Sequence, residues 1–398
     1  MTKITDNVLF ITADQWRGEC LSAMGHRMVK TPHLDALAAM GTLFRRHYSQ
    51  STPCGPARAS LYTGLYQHNH RTVTNGTPLD DRHANFALEA RKGGHDPALF
   101  GFTDIAADPR GRAGDDPELR VRAGLLPGLT PVVRLDADYL PWIEALRQRG
   151  YEVEDDPRSL FRPNRKGINQ EQGRTFAPTW YRAEDSGSAF LTDEAVAYIS
   201  ARDTTPWFVH ISYRSPHPPF IAPEPYNALY DAAEMPPPIR HATPEEEAEQ
   251  HPGTRFDLSN QLDSPYTHGA SLKDYLALED GEIRQIRATY YAMMTEVDAQ
   301  IGRLIAQLKD SGAWDRTLIV FTSDHGEQLG DHWMMAKFGY YEQTYFIPLI
   351  IRDPAATSEA RRGKTIDAFS ENRSEEHTSE LQSRRNLVCR LLLEKKNV

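Results

Sequence analysis

The 398-residue sequence predicts an α/β fold with a mainly parallel central sheet and helices on both faces. Short apolar runs of strand length alternate along the chain with amphipathic helical patterns, which is the order expected for parallel strands joined by helical crossovers. Several of these apolar runs also end in acidic or polar side chains, and α/β folds place ligand sites at the carboxyl ends of their strands.

The composition excludes several other classes of protein. There are 45 Lys and Arg against 55 Asp and Glu, so the formal net charge of −10 repels nucleic acid and anionic membranes. Hydrophobic residues make up 39%, which is too many for a disordered chain, and three cysteines are too few for a disulfide framework in a chain of this length. We expect a globular protein with no nucleic-acid partner.

The N-terminal segment predicts a buried strand over Asn7–Ala13. The polar start lacks the basic residues, the longer apolar stretch and the cleavage site of a signal peptide. No window reaches the roughly 18 consecutive apolar residues of a membrane-spanning helix, so we expect no membrane association and a cytoplasmic location.

Five segments have the pattern of helices. Thr31–Gly41 has Pro32 in its first turn and Gly41 at its end, the positions that these residue types favour. The longest pattern, Ile283–Leu308, places its apolar side chains on one stripe. The predicted helices are Thr31–Gly41, Pro56 to Thr63, Tyr139–Arg149, Asp185–Arg202 and Ile283–Leu308.

Three further apolar runs predict strands, at Trp207–Tyr213, Thr317–Thr322 and Ile347–Ile351. The last run contains Pro348, which cannot donate a hydrogen bond to a neighbouring strand, so we expect it near a sheet edge.

Two regions interrupt the alternation, at about 103–180 and 231–280. The first is rich in Gly, Pro, Arg and Asp, and the second carries a proline run and a glutamate run. Long connections of this kind in a compact domain are usually functional lids or mobile insertions. The chain is therefore predicted to be one large α/β domain with two insertions.

Three polar clusters follow predicted strands or begin a helix: Asp14-Gln15, Cys54–Arg58 and Asp324-His325. Together their carboxylate, amide and imidazole groups are a plausible ligand set for one divalent cation. The oxygens suit Ca²⁺ or Mg²⁺, whereas the imidazole favours Mn²⁺. For any one of these acids alone, solvating a loop or capping a helix is the simpler interpretation.

Cys54 has two interpretations. In the first, Cys54 is a small buried side chain, since free cysteines are often buried. Alternatively, Pro56 places Cys54 at the positive end of a helix, with Arg58 close by, and this environment suits a group that handles an anion.

Cys54–Arg58, followed by Ala59–Gly64, resembles the C-x-P-x-R signature of the sulfatases, within the alkaline phosphatase superfamily. The similarity is greatest to the phosphonate monoester hydrolase branch and runs from Asn7 to about Asn372. It implies an alkaline-phosphatase-like sandwich, with residues 1–372 as a catalytic domain. It also rests on Thr52–Ser60, Asn75–Leu79, Pro216–Phe220, Phe321–Asp331 and Lys337–Tyr340.

The resemblance also implies roles for individual residues. A formylglycine-generating enzyme would convert Cys54 to formylglycine, whose hydrate is the nucleophile and is held by Arg58. Asn75, His217 and Lys337 would contact the transferred group and the leaving oxygen, which either His217 or Lys337 would protonate. The implied ligands of one divalent metal, Mn²⁺ or Ca²⁺, are Asp14, Gln15, Asp324, His325 and the formylglycine from Cys54.

Two positions depart from the phosphonate branch, which has Gly-Tyr-Thr-Thr where this chain has Gly101–Asp104. Phe102 lacks a phenol that could donate to substrate. Asp104 brings a carboxylate near an anionic substrate, which costs binding unless it faces away or is protonated. Both stay candidate substrate-binding residues, and they put the substrate's identity in question.

The expected activity is metal-dependent hydrolysis of phosphonate monoesters, phosphodiesters or related small anionic esters through a covalent intermediate. The alternatives are a sulfuric ester hydrolase, either arylsulfatase or choline-sulfatase-like, and an inactive truncated fragment. The full-length form is expected to be a homo-oligomer, as the resemblance implies.

The C-terminal stretch Arg373–Val398 is predicted not to belong to the protein. It begins RSEEHTSELQS, which is the translation of a short-read sequencing adapter. The alternative is a genuine amphipathic helix, which Leu391–Leu393 would favour. We expect an artefactual tail in place of a C-terminal subdomain, and a genomic read confirming these residues would contradict that expectation.

Overall fold

The computed structural model describes residues 7–136, 138–166, 172–202, 205–260, 278–354 and 362–372. Within these ranges the chain forms one sheet of nine strands in the order β4-β3-β5-β1-β6-β7-β2-β8, with β9 beside β2. The strands are β1 (Asn7–Ala13), β2 (Thr42–Tyr48), β3 (Pro97–Gly101), β4 (Thr130–Arg134), β5 (Phe208–Tyr213), β6 (Thr317–Thr322), β7 (Phe346–Arg352), β8 (Lys364–Ile366) and β9 (Ser370–Glu371).

The sheet is mainly parallel. Strands β4, β3, β5, β1 and β6 are consecutive parallel neighbours. Strand β7 runs antiparallel to both β6 and β2, whereas β8 and β9 are parallel to β2. Because β1 and β6 are central and parallel, with Thr12 opposite Thr322, their carboxyl ends lie side by side.

Helices cover both faces of the sheet, as predicted. On β1, Leu9 and Ile11 belong to a core cluster that includes most of the apolar stripe of α9. Val8 and Phe10 face the opposite side, with side chains from α2 and α4. The helices are α1 (Pro32–Met40), α2 (Cys54–Thr63), α3 (Gln67–His70), α4 (Phe86–Lys92), α5 (Leu140–Gln148), α6 (Gly187–Ser200), α7 (Pro244–Glu249), α8 (Pro252–Ser259), α9 (Asp280–Asp310) and α10 (Glu342–Tyr345).

The expectation that Pro348 marks a sheet edge is wrong. Strand β7 lies inside the sheet, between β6 and β2. The pairing of β2 with β7 is irregular between Phe44 and His47, which lie opposite Leu349 and Ile347. Pro348 therefore sits at a local break in the ladder, where its missing N–H costs no regular sheet hydrogen bond. Its carbonyl accepts a hydrogen bond from Thr322 Oγ1 at 2.8 Å.

The two predicted insertions contain ordered elements. The region at about 103–180 supplies the edge strand β4 and the helix α5, and the region at about 231–280 supplies α7 and α8. The extent of the catalytic domain, residues 1–372, stays a prediction. The predicted artefactual tail, including Leu391–Leu393, lies outside the described residues.

Among the helices in the described ranges, none combines the length and the apolar character that crossing a membrane requires.

Candidate active site

Four predicted residues meet at the carboxyl edge of the sheet. Asp14 directly follows β1, while Asp324 and His325 follow the neighbouring strand β6 after one serine. Cys54 begins α2, and all four side chains are buried. The structure therefore brings together residues that are up to 311 positions apart in the sequence, through the pairing of two central strands.

The four side chains form a compact donor cluster. A carboxylate oxygen of each aspartate, the thiol and an imidazole nitrogen lie within 4.8 Å of one another. Nε2 of His325 lies 3.1 Å from the Cys54 sulfur and 3.7 Å from Asp324 Oδ2. The other ring nitrogen, Nδ1, donates to the Gly326 carbonyl at 2.9 Å, which orients Nε2 towards the cluster. This donor set fits a divalent cation.

Arg58 bridges the two aspartates. Its Nε lies 2.9 Å from Asp324 Oδ2 and its Nη2 lies 3.2 Å from Asp14 Oδ2. Its Nη1 donates to Ser212 Oγ at 3.0 Å and to the Tyr62 hydroxyl at 3.1 Å. Burial opposes the charge of Arg58, but its anionic neighbours hold the pKa of the guanidinium well above its usual range. The guanidinium is therefore a fixed cation with each of its nitrogens engaged by the protein.

The ionisation of the cluster reflects its crowded negative charge. Burial and then Asp324 raise the pKa of Asp14, against the opposing charges of Arg58, Lys337 and Arg214. Burial also acts to raise the pKa of Asp324, but His325 and Arg58 outweigh it and the pKa falls. Burial followed by Asp14 raises the pKa of the Cys54 thiol. A cation among these donors would offset the repulsion between the two carboxylates.

Gln15 and Lys337 lie together beside the cluster. The Gln15 amide oxygen accepts a hydrogen bond from Lys337 Nζ at 2.6 Å, and its Nε2 donates to Glu327. The backbone N–H of Gln15, whose φ is +69°, donates to Asp324 Oδ1 at 3.0 Å. The structure thus places Gln15 next to the donor cluster, while its role as a metal ligand stays a prediction.

The cluster opens into a cleft of about 1180 Å³. Asn75 and His217 line it, as does Phe102. Asn75 Oδ1 accepts from the Gly55 N–H at 2.8 Å, and His217 Nδ1 donates to the Pro218 carbonyl at 2.6 Å. The residues predicted to contact the substrate therefore all line one cleft, and their individual roles stay predictions.

Phe102 and Asp104, the two positions that depart from the phosphonate branch, both line this cleft. The ring centre of Phe102 lies 4.3 Å from the guanidinium carbon of Arg58, within cation–π range. Asp104 has a φ of +53°, a left-handed backbone conformation that is uncommon outside glycine. Burial raises the pKa of Asp104, against Arg58, Lys337 and Arg214, so this carboxylate lies in the field of the site.

Two residues of the site were not predicted from the sequence. Arg214 directly follows β5 and lines the cleft. Glu327 is buried and accepts hydrogen bonds from Gln15 Nε2 and from the Leu329 and Ala336 N–H groups. The sequence offered a signal for each. Arg214 lies at a strand end, just before Pro216-His217, and Glu327 lies in the segment that follows β6.

Comparison with known proteins identifies the family. The model of the family described as Sulfatase matches residues 6–112 and 139–381. The chain belongs to the sulfatase family. The resemblance predicted from Cys54–Gly64 is thereby confirmed, and the protein is a hydrolase of this family.

Individual relatives of this sulfatase-family hydrolase cover most of its length. It is 42% identical over 371 residues to the multifunctional alkaline phosphatase superfamily protein PehA of Trinickia caryophylli, covering 92% of this chain and 71% of PehA. It is 25% identical over 378 residues to an arylsulfatase of Clostridium perfringens, covering 92% of this chain and 72% of that enzyme.

Solved structures confirm the predicted alkaline-phosphatase-like fold of this sulfatase-family chain. It is similar to the phosphonate monoester hydrolase of Agrobacterium radiobacter with a TM-score of 0.86 and 44% identity. The phosphonate monoester hydrolase of Silicibacter pomeroyi gives a TM-score of 0.82 and 42% identity. Each comparison covers 92% of this chain and 71% of the other.

Proposed function

We propose that this chain hydrolyses phosphonate monoesters and phosphodiesters, using formylglycine made from Cys54 and one divalent cation, Mn²⁺ or Ca²⁺. The observation that carries the proposal is the buried convergence of Asp14, Cys54, Asp324 and His325 at the base of the cleft. Identities of 42–44% with PehA and two phosphonate monoester hydrolases support this substrate class.

The residues fit both implied groups. Asp14, Asp324 and His325, together with the group made from Cys54, would hold the cation, and Gln15 is the proposed fifth ligand. When bound, the cation supplies positive charge and the hydrated aldehyde supplies the attacking oxygen, whose ionisation that charge favours. Maturation requires a formylglycine-generating enzyme as a partner.

Arg58 positions the reacting groups. Its guanidinium joins Asp14 and Asp324, so both carboxylates are held in one geometry next to Cys54. Electrostatic preorganisation of this kind is the main source of rate enhancement in transfers of charged groups. Asn75 supports the start of α2 through the Gly55 N–H and faces the transferred group.

Of His217 and Lys337, Lys337 is the residue that can protonate the leaving oxygen. Because His217 Nδ1 donates to the Pro218 carbonyl, Nε2 of the neutral ring is an acceptor. Burial, and then Lys337 and Arg214, hold the pKa of His217 well below its usual range. Lys337 lies next to Gln15 and provides positive charge for the leaving oxygen. Phe102 and Asp104 shape the same opening as substrate-binding residues.

The assay compares an aryl phosphonate monoester, an aryl phosphodiester and an aryl sulfate, with the full chain produced alongside a formylglycine-generating enzyme. We expect kcat/KM to be higher for both phosphorus esters than for the sulfate. The variant Cys54→Ala is the control for background hydrolysis. A higher kcat/KM for the sulfate would overturn the proposed substrate class.

Mass spectrometry of the peptide containing Cys54 tests the nucleophile separately. We expect the mass loss that accompanies conversion of a thiol to an aldehyde. An unmodified cysteine, from a host with active maturation machinery, would contradict the proposal.

The second candidate is sulfate ester hydrolysis. It is supported by the 25% identity to the arylsulfatase of Clostridium perfringens, and the departures at Phe102 and Asp104 put the phosphonate substrate in question. The same three-substrate comparison separates the two functions.

A further inference from the structure

Arg214 is a guanidinium whose N–H groups have no acceptor among the described residues. Its side chain is partly buried and its Nε is shielded from solvent, yet the described residues offer the guanidinium no hydrogen bond and no ion pair. The buried arginines Arg17, Arg58 and Arg287, in contrast, each bind at least one carboxylate. The terminal Nη groups are not shielded, so they are the donors of Arg214 that can bind a partner from outside the chain.

The position of Arg214 points to the reacting group. It lines the same cleft as Cys54 and Lys337. Asp14 of the donor cluster lines it as well. An ester bound at the donor cluster would therefore share this cleft with Arg214.

Tyr139 holds Arg214 in this place. The guanidinium carbon lies 5.6 Å from the centre of the Tyr139 ring, within the range of a cation–π contact. Tyr139 is buried, directly precedes α5 and itself lines the cleft. The contact restrains the guanidinium while leaving its N–H groups free for a ligand.

Two other cations beside the donor cluster, Arg58 and Lys337, are already engaged by the protein. Arg58 donates from all three of its nitrogens to the protein, and Lys337 donates to Gln15. The ammonium of Lys337 has no planar pair of donors, and Arg58 cannot present a free pair of N–H groups without breaking these contacts. Arg214 can, because its guanidinium presents parallel donors that match two oxygens on one tetrahedral centre.

We propose that Arg214 binds the two non-bridging oxygens of the substrate's phosphonyl or phosphoryl group. It is therefore a substrate-binding residue that selects esters with a charged tetrahedral centre, and Tyr139 is its positioning residue. This inference rests on the proposed function and adds a binding residue to it.

Steady-state kinetics with the aryl phosphonate monoester tests the inference. In Arg214→Met, loss of a charged hydrogen-bonding pair is expected to lower kcat/KM on the order of 10- to 100-fold, mainly through a higher KM. Arg214→Lys keeps the charge without the paired donors and should fall between Arg214→Met and the wild type. Arg202→Met is the matched control, because Arg202 stacks on Tyr198 and is not among the cleft residues.

Binding of methylphosphonate, measured by calorimetry, gives a readout that does not need turnover. We expect the wild type to bind this anion and Arg214→Met to bind it on the order of tenfold or more weakly. The wild type could bind methylphosphonate and yet be inactive on all three esters. If Arg214→Met then lost this binding, the role of Arg214 would be supported although the proposed function had failed.

Equal KM and equal methylphosphonate affinity in wild type and Arg214→Met would overturn the inference, as would no binding by the wild type. Thermal unfolding checks that each variant is folded. If Arg214→Met does not fold, the same measurements on Arg214→Lys and Arg214→Gln decide, and wild-type binding in both would overturn the proposal.

Discussion

Arg58 shows how much a single buried residue holds in place. Its side chain is fully buried and bridges Asp14 and Asp324, which follow two different strands. Removing one partner of such a pair leaves charge uncompensated in the interior, which is far more costly than losing a surface pair. Arg58 is therefore important for stability as well as for geometry.

Replacing Arg58 with Met is expected to lower the free energy of unfolding by about 3–5 kcal/mol, measured by urea denaturation. Arg91→Met is the control, since Arg91 and Asp96 form an exposed pair 2.8 Å apart, and it should cost no more than about 1 kcal/mol. Equal losses in the two variants would contradict a supporting role for Arg58.

The sequence was most informative about residues at strand ends. Asp14 and Asp324 could be predicted as site residues because each follows a continuous apolar run that had to be a buried strand. Arg214 also directly follows a predicted strand, but that position alone did not select it. What distinguishes Arg214 is that no described residue accepts a hydrogen bond from its guanidinium, and this depends on residues distant in the sequence.

At the level of elements, α6 and α9 meet through a buried carboxylate. Glu296 on α9 accepts hydrogen bonds from Ser186 Oγ at 2.6 Å and from Ser188 Oγ at 3.1 Å, at the start of α6. Burial, opposed by these two serines, raises the pKa of Glu296 from 4.5 to about 7. The folded protein therefore holds this proton more tightly than the unfolded chain.

The pKa of Glu296 is higher in the folded protein than in the unfolded chain. Protonated Glu296 therefore stabilises the fold fully below pH 4.5, and this stabilisation is lost as the pH rises to about 7. Glu296→Gln should remove this loss, making the variant more stable than the wild type at pH 8 by up to about 3 kcal/mol. Melting temperatures between pH 5 and pH 8 measure the difference.

Glu194→Gln is the control for this pH series, since Glu194 lies on α6 and is exposed. It should leave the pH dependence of melting unchanged. A Glu296→Gln variant that follows the wild-type pH profile would show that Glu296 does not titrate in this range.

The elements themselves were unequally predictable. Strands β1 and β6 match their predicted limits, because buried parallel strands are unbroken apolar runs. Strand β2 was missed because Arg45 and Arg46 interrupt its apolar residues and are exposed. Strand β4 was missed because it is a short edge strand with exposed positions.

At the scale of the whole molecule, the donor cluster connects separate parts of the fold. Asp14 follows β1, Asp324 and His325 follow β6, and Cys54 begins α2. A cation held by all of them binds the folded state and has no such site in the unfolded chain. Bound metal is therefore expected to stabilise the entire domain.

Adding Mn²⁺ or Ca²⁺ to the metal-free protein is expected to raise its melting temperature. A ligand at 100 times its Kd contributes about 2.7 kcal/mol when it binds only the folded state. Asp324→Asn should abolish most of this increase, whereas Asp108→Asn, at an acidic residue outside the donor cluster, should retain it. A wild type whose melting temperature responds to neither cation would argue against the metal site.

The reversed direction of β7 groups several proposed site residues in one connection. Because β6 and β7 are adjacent and antiparallel, residues 323–345 leave and re-enter the sheet at the same edge. The connection is also bonded internally, with the Gly326 N–H donating to the Thr344 carbonyl at 2.7 Å. It carries Asp324, His325 and Lys337 in one continuous segment of the chain. Replacing residues 323–345 would therefore change these three proposed site residues together while leaving both strands in place.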